Sequence, residues 1–293
     1  MPTPRLLLAA LCVLGLLLPA ARAMTFTATA TSAWVENISR TSSARDAKDG
    51  DRHRLAATAS WHRQLNRDWQ ATATTTAAWQ TEPDFTALDT WQFGFDLTLM
   101  RKFGLGPLAP VLQANAGLHQ ADVRESGRSR TETTAGLTVA KRLTTTWRVA
   151  AGMDWTQHYA KLAPFDVRNH RAHGSLTWDF LPSWRVALGG SRQWGDITAN
   201  ATWPVWGRAL AGVFGAAVRD YYNSEPWLTT STYGPGWVAY RVDARTDIWW
   251  AELAPALGDH TALPLRYEHI EVRNRVGVRY VTEMWSLSVL HRF

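Results

Sequence analysis

Three residue pairs have a spacing that nucleophilic or metal chemistry would use. His173 and Ser175 are separated by one residue, so on a strand they share a face, with a histidine beside a hydroxyl. His170 and His173 could share a metal ion, and Asp259-His260 is an acid–histidine couple in an expected short turn. No third metal ligand is indicated beside the two histidines, and the acid–histidine couple falls in an expected periplasmic turn, whereas an outer-membrane protease would need it at the outer rim. The sequence therefore predicts no catalytic residue, no metal and no cofactor.

A second set of residues could line a channel. If their segments are strands of a barrel wall, charged side chains must point inward, because charge on the lipid side is costly. This places inside Lys102, Arg142, Arg148, Arg171, Arg185, Arg241, Asp243, Arg245, Asp247, Arg266 and Glu268, together with Asp96, Asp154 and Asp179. The bases Lys102, Arg142, Arg148 and Arg185 lie near short turns, so that mouth should be positive and favour anions. The alternative is a salt-bridged interior that fills the lumen.

The elements that carry these residues are strands by their periodicity. From residue 25 onward, apolar and polar residues alternate. One example is the face formed by Trp91, Phe93, Phe95, Leu97 and Leu99, which lies opposite Gln92, Gly94, Asp96 and Thr98. A period of two indicates strands with one apolar and one polar face.

Short turns and long polar connections alternate along the chain. The turns are 65–69, 104–108, 143–147 and 181–184, and the long connections are 38–51, 82–89, 122–131, 160–168 and 197–236. We count twelve strands, starting near residues 25, 53, 69, 90, 110, 132, 147, 169, 184, 237, 262 and 277. This asymmetry predicts an all-β fold, a closed antiparallel transmembrane β-barrel in which 277–293 pairs with 25–36. A soluble sandwich, the alternative, would show neither this asymmetry nor so much outward tryptophan.

The composition supports a membrane location. The chain has 17 Trp against 9 Phe and 7 Tyr, and tryptophan is enriched at bilayer interfaces. Trp69 and Trp79 are ten residues apart on one face, which spans about 25 Å along the membrane normal in a tilted strand. One Cys excludes a disulfide framework. The net charge of +6 is spread along the strands and does not indicate nucleic acid.

Residues 1–23 have the three parts of a secretory signal. Arg5 precedes the apolar run 6–18, and Ala21-Arg22-Ala23 has the small-x-small form of a cleavage site. We expect cleavage after Ala23, which leaves a barrel of residues 24–293. An uncleaved anchor is the alternative.

One connection, 197–236, contains a different pattern. Apolar residues between Trp206 and Tyr221 follow helical spacing, with Pro204 in the first turn. The spacing predicts a helix over 204–222 in an extracellular loop, lying across the mouth or in the lumen. The alternative is an extra hairpin, which would make fourteen strands.

The C-terminus carries a resemblance to a known class. Trp285, Leu287, Val289 and Phe293 share one face of the last strand and end in an aromatic residue. This resembles the terminal strand of Gram-negative outer-membrane β-barrel proteins, although His291 stands where an apolar residue is usual. The resemblance implies residence in the outer membrane, contact with its lipids, and recognition of the final aromatic residue by the barrel assembly machinery. It covers the mature chain as architecture and points to no narrower family.

Twelve-stranded barrels of this class include small porins and lipid-cleaving enzymes, so the fold leaves function open. A passive or weakly selective channel for small, anionic solutes is the first hypothesis. A structural or surface-interaction barrel with a filled lumen is the second. A lipid-modifying enzyme is the third, because His173 and Ser175 resemble the His-x-Ser pair of outer-membrane lipid hydrolases. No Asn-Gly follows Ser175, however, and the pair is expected to face the lumen, away from lipid.

Overall fold

The computed structural model describes residues 24–212, 227–230, 232–274 and 278–293. The expected signal 1–23 and the second half of the expected helix, 213–222, lie outside these residues. The strands are β1 Met24–Val35, β2 Gly50–Gln64, β3 Trp69–Thr81, β4 Thr90–Lys102, β5 Val111–Val123, β6 Arg130–Arg142, β7 Trp147–Ala160, β8 Arg168–Leu181, β9 Trp184–Thr202, β10 Trp227–Thr230, β11 Trp237–Leu257, β12 Thr261–Ala262, β13 Leu265–Arg273 and β14 Arg279–Arg292.

The helical elements are short. Helix α1 covers Trp203–Gly212, and 3-10 turns cover Pro83–Leu88, Ser126–Arg128 and Ala163–Phe165 in three of the loops. The first part of the expected helix is thus present, directly after β9. In the part of the chain that the structure describes, no helix is long and apolar enough to cross a bilayer.

The strands form one closed antiparallel barrel, as predicted. Each strand from β1 to β9 pairs with the next, β9 pairs with β11, and β14 pairs with β1 from Thr27↔Arg292 to Val35↔Met284. The segments β12 and β13 make one wall strand that is interrupted at Pro264, which has no amide hydrogen to donate. Strand β10 is an addition that pairs with β11. The wall therefore has the twelve strands predicted, and the described residues add no extra pair to it.

The outer face of the wall is apolar. Trp91, Phe93 and Met153 are 55%, 56% and 62% exposed, and they alternate with polar residues that face inward. Outward tryptophans meet across strands, with ring centroids of Trp147 and Trp178 stacked at 5.1 Å. An apolar surface of this kind is stable only in contact with lipid, because water would disfavour so much exposed hydrocarbon.

Strands β9 and β11 are much longer than the others and extend beyond the membrane. They have 19 and 21 residues, whereas a tilted strand needs about 10 to cross. The inner face of this extension is buried and apolar, with Val238 and Val242 at 0% exposure. Val205 and Trp206 of α1 pack against it. The main hydrophobic core therefore lies inside the barrel at its extracellular end.

Candidate functional site: the inner wall and the covered mouth

One side of the inner wall, formed by β14, β1, β2 and β3, carries hydroxyl groups. Neighbouring strands join them by hydrogen bonds: Thr31 to Ser288 at 2.9 Å and Ser60 to Thr74 at 3.1 Å. Along each strand these hydroxyl residues alternate with the apolar residues of the outer face, so the two-residue period of a strand places them inside.

The other side, from β4 to β8, carries contacts between basic and acidic side chains of adjacent strands. The pairs are His119 Nε2 to Asp96 Oδ1 at 3.1 Å, His158 Nε2 to Glu132 Oε2 at 3.0 Å, and Arg171 Nη2 to Asp154 Oδ2 at 2.7 Å. The two histidine–carboxylate contacts were not among the expected wall residues. The signal was present, since each histidine alternates in register with the inward residues of its strand.

Inward glycines make room for these pairs. A Cβ on Gly94 would lie 2.3 Å from the ring of His119, and one on Gly136 would lie 2.4 Å from the carboxylate of Asp154. The side chains therefore lie flat against the wall, over the glycines of the neighbouring strand. This arrangement keeps the charged groups out of the middle of the lumen.

The bases expected at the short-turn mouth lie on the inner face at that end. Lys102, Arg142 and Arg148 alternate with the exposed apolar residues of β4, β6 and β7. Within the described residues, none of the three has a carboxylate within 4.0 Å; Arg142 instead donates to the Thr145 carbonyl at 2.9 Å. Arg185 is inward as well, but it is paired with Asp179 at 2.7 Å.

Two more expected residues share the inner face of β13. Arg266 pairs with Glu268 at 2.5 Å and lies 4.3 Å from the ring centroid of Trp250. Trp250 in turn packs over Gly189, where a Cβ would be 2.3 Å from the indole. An aromatic ring and a paired arginine therefore occupy the inner wall on this side.

The prediction that Arg241, Asp243, Arg245 and Asp247 line the lumen is wrong. They are on the face of β11 that carries Trp249, which is 50% exposed. Arg245 lies opposite the outward Trp194, which is 43% exposed. The residues between the charges, Val242 and Ala244 among them, are the buried ones. Because this part of β11 is above the hydrocarbon of the bilayer, its outer face lies in polar surroundings and the loops fill its inner face, which reverses the rule that charges point inward.

The extracellular mouth is covered by loops that bond to one another. The amide of Asn200 on β9 donates to the Ser39 carbonyl at 2.8 Å, and Thr202 donates to Asp46 at 2.9 Å. The Tyr233 hydroxyl donates to the Ile38 carbonyl at 3.1 Å. These contacts hold the loop 36–49, from one side of the barrel, against the end of β9 on another. Burial raises the pKa of Tyr233.

A buried arginine joins three further loop segments in this cover. Arg128 pairs with Glu125 at 2.7 Å, and both side chains are 10% exposed. The guanidinium lies 4.6 Å from the ring centroid of Phe165 and 5.8 Å from that of Trp227. Thr232 donates a hydrogen bond to the same glutamate. The burial of Arg128 could not be expected from the sequence, because a loop arginine between polar neighbours carries no signal of burial.

The surroundings of His173 do not form a hydrolase site. Its Nδ1 lies 3.1 Å from Asp154 Oδ2 and its Nε2 lies 3.4 Å from the hydroxyl of Thr138. In the described part of the chain, no hydrogen bond joins His173 to Ser175. Both side chains face the lumen, where acyl chains of the bilayer do not reach.

The terminal residues named as an assembly signal face outward on β14. Trp285, Leu287 and Val289 are 53%, 53% and 45% exposed. Phe293 is 74% exposed, and its amide donates to the Phe26 carbonyl at 2.9 Å. Their recognition by assembly machinery stays a prediction.

The fold is that of an outer-membrane β-barrel, and comparisons with solved structures agree. The chain is similar to an outer-membrane channel from Pseudomonas putida F1, at 13% identity and a TM-score of 0.57, over 94% of this chain and 98% of that one. Weaker likenesses are to a KdgM porin (9% identity, 91% and 99% covered, TM-score 0.46) and a NanC porin (9%, 90% and 98%, 0.45). No family model matches the sequence, and no curated protein is similar to it. Fold and apolar belt place the chain in the outer membrane.

Proposed function

We propose that the protein is a channel for small solutes across the outer membrane, with a mild preference for anions. The observation that carries the proposal is the inner wall, which is polar around the barrel and in which Asp96, His119 and Asp154 lie over glycines of neighbouring strands. A wall built this way leaves the centre of the lumen to water. The similar structure from Pseudomonas putida F1 is itself described as an outer-membrane channel, which supports the same reading.

The anion preference comes from the short-turn mouth. Lys102, Arg142 and Arg148 have no carboxylate partner among the described residues, whereas most charges deeper in the wall are paired and the inward Arg54 donates to the Gln92 side chain. Unpaired bases at a narrow entrance concentrate anions there, and the effect weakens as salt screens it. Because pairing neutralises most of the remaining wall, the preference should be small.

The cover at the other mouth sets the conductance. A solute must pass between loops that are bonded through Ser39, Asn200 and Arg128. Purified protein in a planar bilayer should therefore give small, discrete conductance steps. Absence of conductance in the intact protein, and also in a variant whose cover is loosened at Arg128, would overturn the channel proposal in favour of a filled barrel.

The selectivity has a matched test. Arg142→Gln with Arg148→Gln should lower the anion-to-cation permeability ratio, read from the reversal potential in a salt gradient. Arg101→Gln is the control, because Arg101 is at the same end of the barrel but faces outward, 4.7 Å from the Phe103 ring centroid. An unchanged ratio in the double variant, or an equal change in the control, would refute the role of the positive mouth.

A further inference from the structure

The outward charges above the bilayer form an ordered cluster, which we call the outer arginine cluster. It consists of Arg192, Arg245, Arg273 and Arg279 with the carboxylates Asp247 and Glu271. Asp247 lies between two guanidiniums, at 2.5 Å from Arg192 and 3.1 Å from Arg245. Glu271 likewise lies between Arg273 at 2.6 Å and Arg279 at 2.9 Å. Each carboxylate thus holds two arginines in place and neutralises only one.

The register puts this cluster on the lipid-facing side of the wall. Arg245 pairs with Arg273 across β11 and β13, and Arg273 pairs with Arg279 across β13 and β14. The same outward faces of β11, β13 and β14 carry Trp249, Tyr267 and Trp285 nearer the middle of the wall. Their rings pack together, with centroids 5.0 Å apart for Trp249 and Tyr267 and 4.6 Å apart for Tyr267 and Trp285. The cluster therefore continues an outward aromatic surface and does not belong to the lumen.

Its height matches the headgroups of the outer leaflet. Arg245 is four residues beyond Trp249, and Arg273 is six residues beyond Tyr267. At about 3.3 Å per residue and a tilt near 40°, these arginines are roughly 10 and 15 Å above the aromatic rings along the membrane normal. Groups at that height lie above the acyl chains, in the polar headgroup region of the lipid.

Each arginine of the cluster is held by a carboxylate but keeps further N–H groups that can donate to a ligand. Their side chains are 41% to 67% exposed, with Arg279 the most accessible. Guanidinium groups bind phosphate through paired N–H donors, and arginines already fixed in position lose less entropy when they do so. Asp243 is exposed on the same face and reduces the excess charge to +1. Recognition must therefore come from the fixed donors more than from net charge.

We propose that the outer arginine cluster binds the phosphate groups of a phosphorylated glycolipid in the outer leaflet. The pocket beside the cluster, of about 440 Å³ and lined by Trp194, Asp243, Arg245 and Arg273 among others, gives space for a sugar phosphate. The site is separate from the lumen, so lipid binding and solute passage can be varied independently.

The test measures binding of purified bisphosphorylated lipid A to the full barrel in detergent with a chelator, by mass spectrometry of the intact complex. The same lipid with both phosphates removed is the second probe. We expect the dephosphorylated lipid to bind at least tenfold more weakly. In Arg273→Gln with Arg279→Gln this difference should vanish, while Arg101→Gln at the opposite rim should keep it. Arg273→Lys with Arg279→Lys should retain only part of the difference between the two lipids, because lysine lacks the planar guanidinium that donates two parallel N–H bonds.

Three results would overturn the proposal. One is equal binding of the two lipids by the native protein, and another is an undiminished difference in the glutamine double variant. The third is competition by inorganic phosphate at the lipid's own concentration, which would make the cluster a site for free phosphate. If the double variant does not fold, the exposed Arg279→Gln alone decides, and it should lose a several-fold share of the preference.

Discussion

Replacing Arg128 by methionine should open the extracellular cover without unfolding the barrel. Arg128 is the partner of Glu125 inside the cover, and its guanidinium lies over the rings of Phe165 and Trp227. Methionine fills a similar volume and packs well on aromatic rings. The main loss is therefore the ion pair with Glu125, whose carboxylate keeps the hydrogen bond from the Thr232 hydroxyl.

The expected size follows from burial. Breaking a buried ion pair by removing one partner costs about 3–5 kcal/mol. Because the Glu125 carboxylate still accepts from Thr232, the lower end of that range applies. Taking about 3 kcal/mol, and a tenfold change for each 1.4 kcal/mol, the cover should open roughly 100-fold more often. The barrel strands do not depend on this pair, so their stability should not change.

Hydrogen exchange measures this opening. The amides of Arg124 and Glu125 donate to the carbonyls of Asp89 and Ala87 at 2.8 and 2.9 Å, which ties two loops of the cover together. Their exchange should accelerate by about the factor above, while amides of β5 and β6 should exchange as before. Adding Glu125→Gln to the variant should recover at least about tenfold, because the buried negative charge is then removed together with its cation.

A change of less than about threefold in the exchange rates of the Arg124 and Glu125 amides in Arg128→Met would refute this prediction, because losing a buried ion pair should cost more free energy than that. Exchange that is equally fast with and without the added Glu125→Gln substitution would refute it as well.

Three further predictions concern the wall, the seam and the cover. Gly195→Ala should lower the free energy of unfolding in urea by at least about 1–2 kcal/mol, because Gly195 has φ +118° and a Cβ would lie 2.4 Å from the Arg168 carbonyl; Gly174→Ala, with its nearest atom at 3.7 Å, should leave the midpoint unchanged. Deleting Phe293 should reduce insertion in cells, measured by surface labelling, while the purified variant refolded in detergent keeps nearly its normal stability, because the side chain is 74% exposed. Tyr233→Phe should loosen the cover by about 1 kcal/mol near neutral pH through loss of the bond to Ile38. Since burial raises the pKa of Tyr233, the native protein should lose this advantage as pH rises above about 10, where the unfolded phenol ionises. A stability difference between the native protein and Tyr233→Phe that stays constant up to pH 11 would contradict the burial of a neutral phenol in the cover.

The strands could be predicted well, because lipid imposes a strict rule on them. Every wall strand begins within three residues of its expected start, as at Trp69, Thr90, Trp147 and Trp184. A residue in contact with hydrocarbon must be apolar, and its neighbour must point the other way, so the period of two is unambiguous inside the bilayer.

The same rule failed where the wall leaves the bilayer. Unbroken alternation from Trp249 back to Arg241 already put the charges and an outward tryptophan on one face, and β11 is too long to lie wholly in the membrane. The cover could not be predicted for a different reason. Contacts such as Asn200 to Ser39 join residues 161 positions apart, and their loops show no periodicity that would indicate burial.

The seam between β1 and β14 has a consequence for how the protein reaches its folded state. Thr31 and Ser288 are hydrogen-bonded across 257 positions of sequence, so closure brings together the two strands that are most distant along the chain. Pairing over such a separation is slow, because the entropy of a very large loop is lost before any bond is gained. Until it forms, two long strand edges stay open and invite pairing with other chains. A protein of this topology spends its most aggregation-prone period as a nearly complete sheet, and a holding chaperone would act on that species.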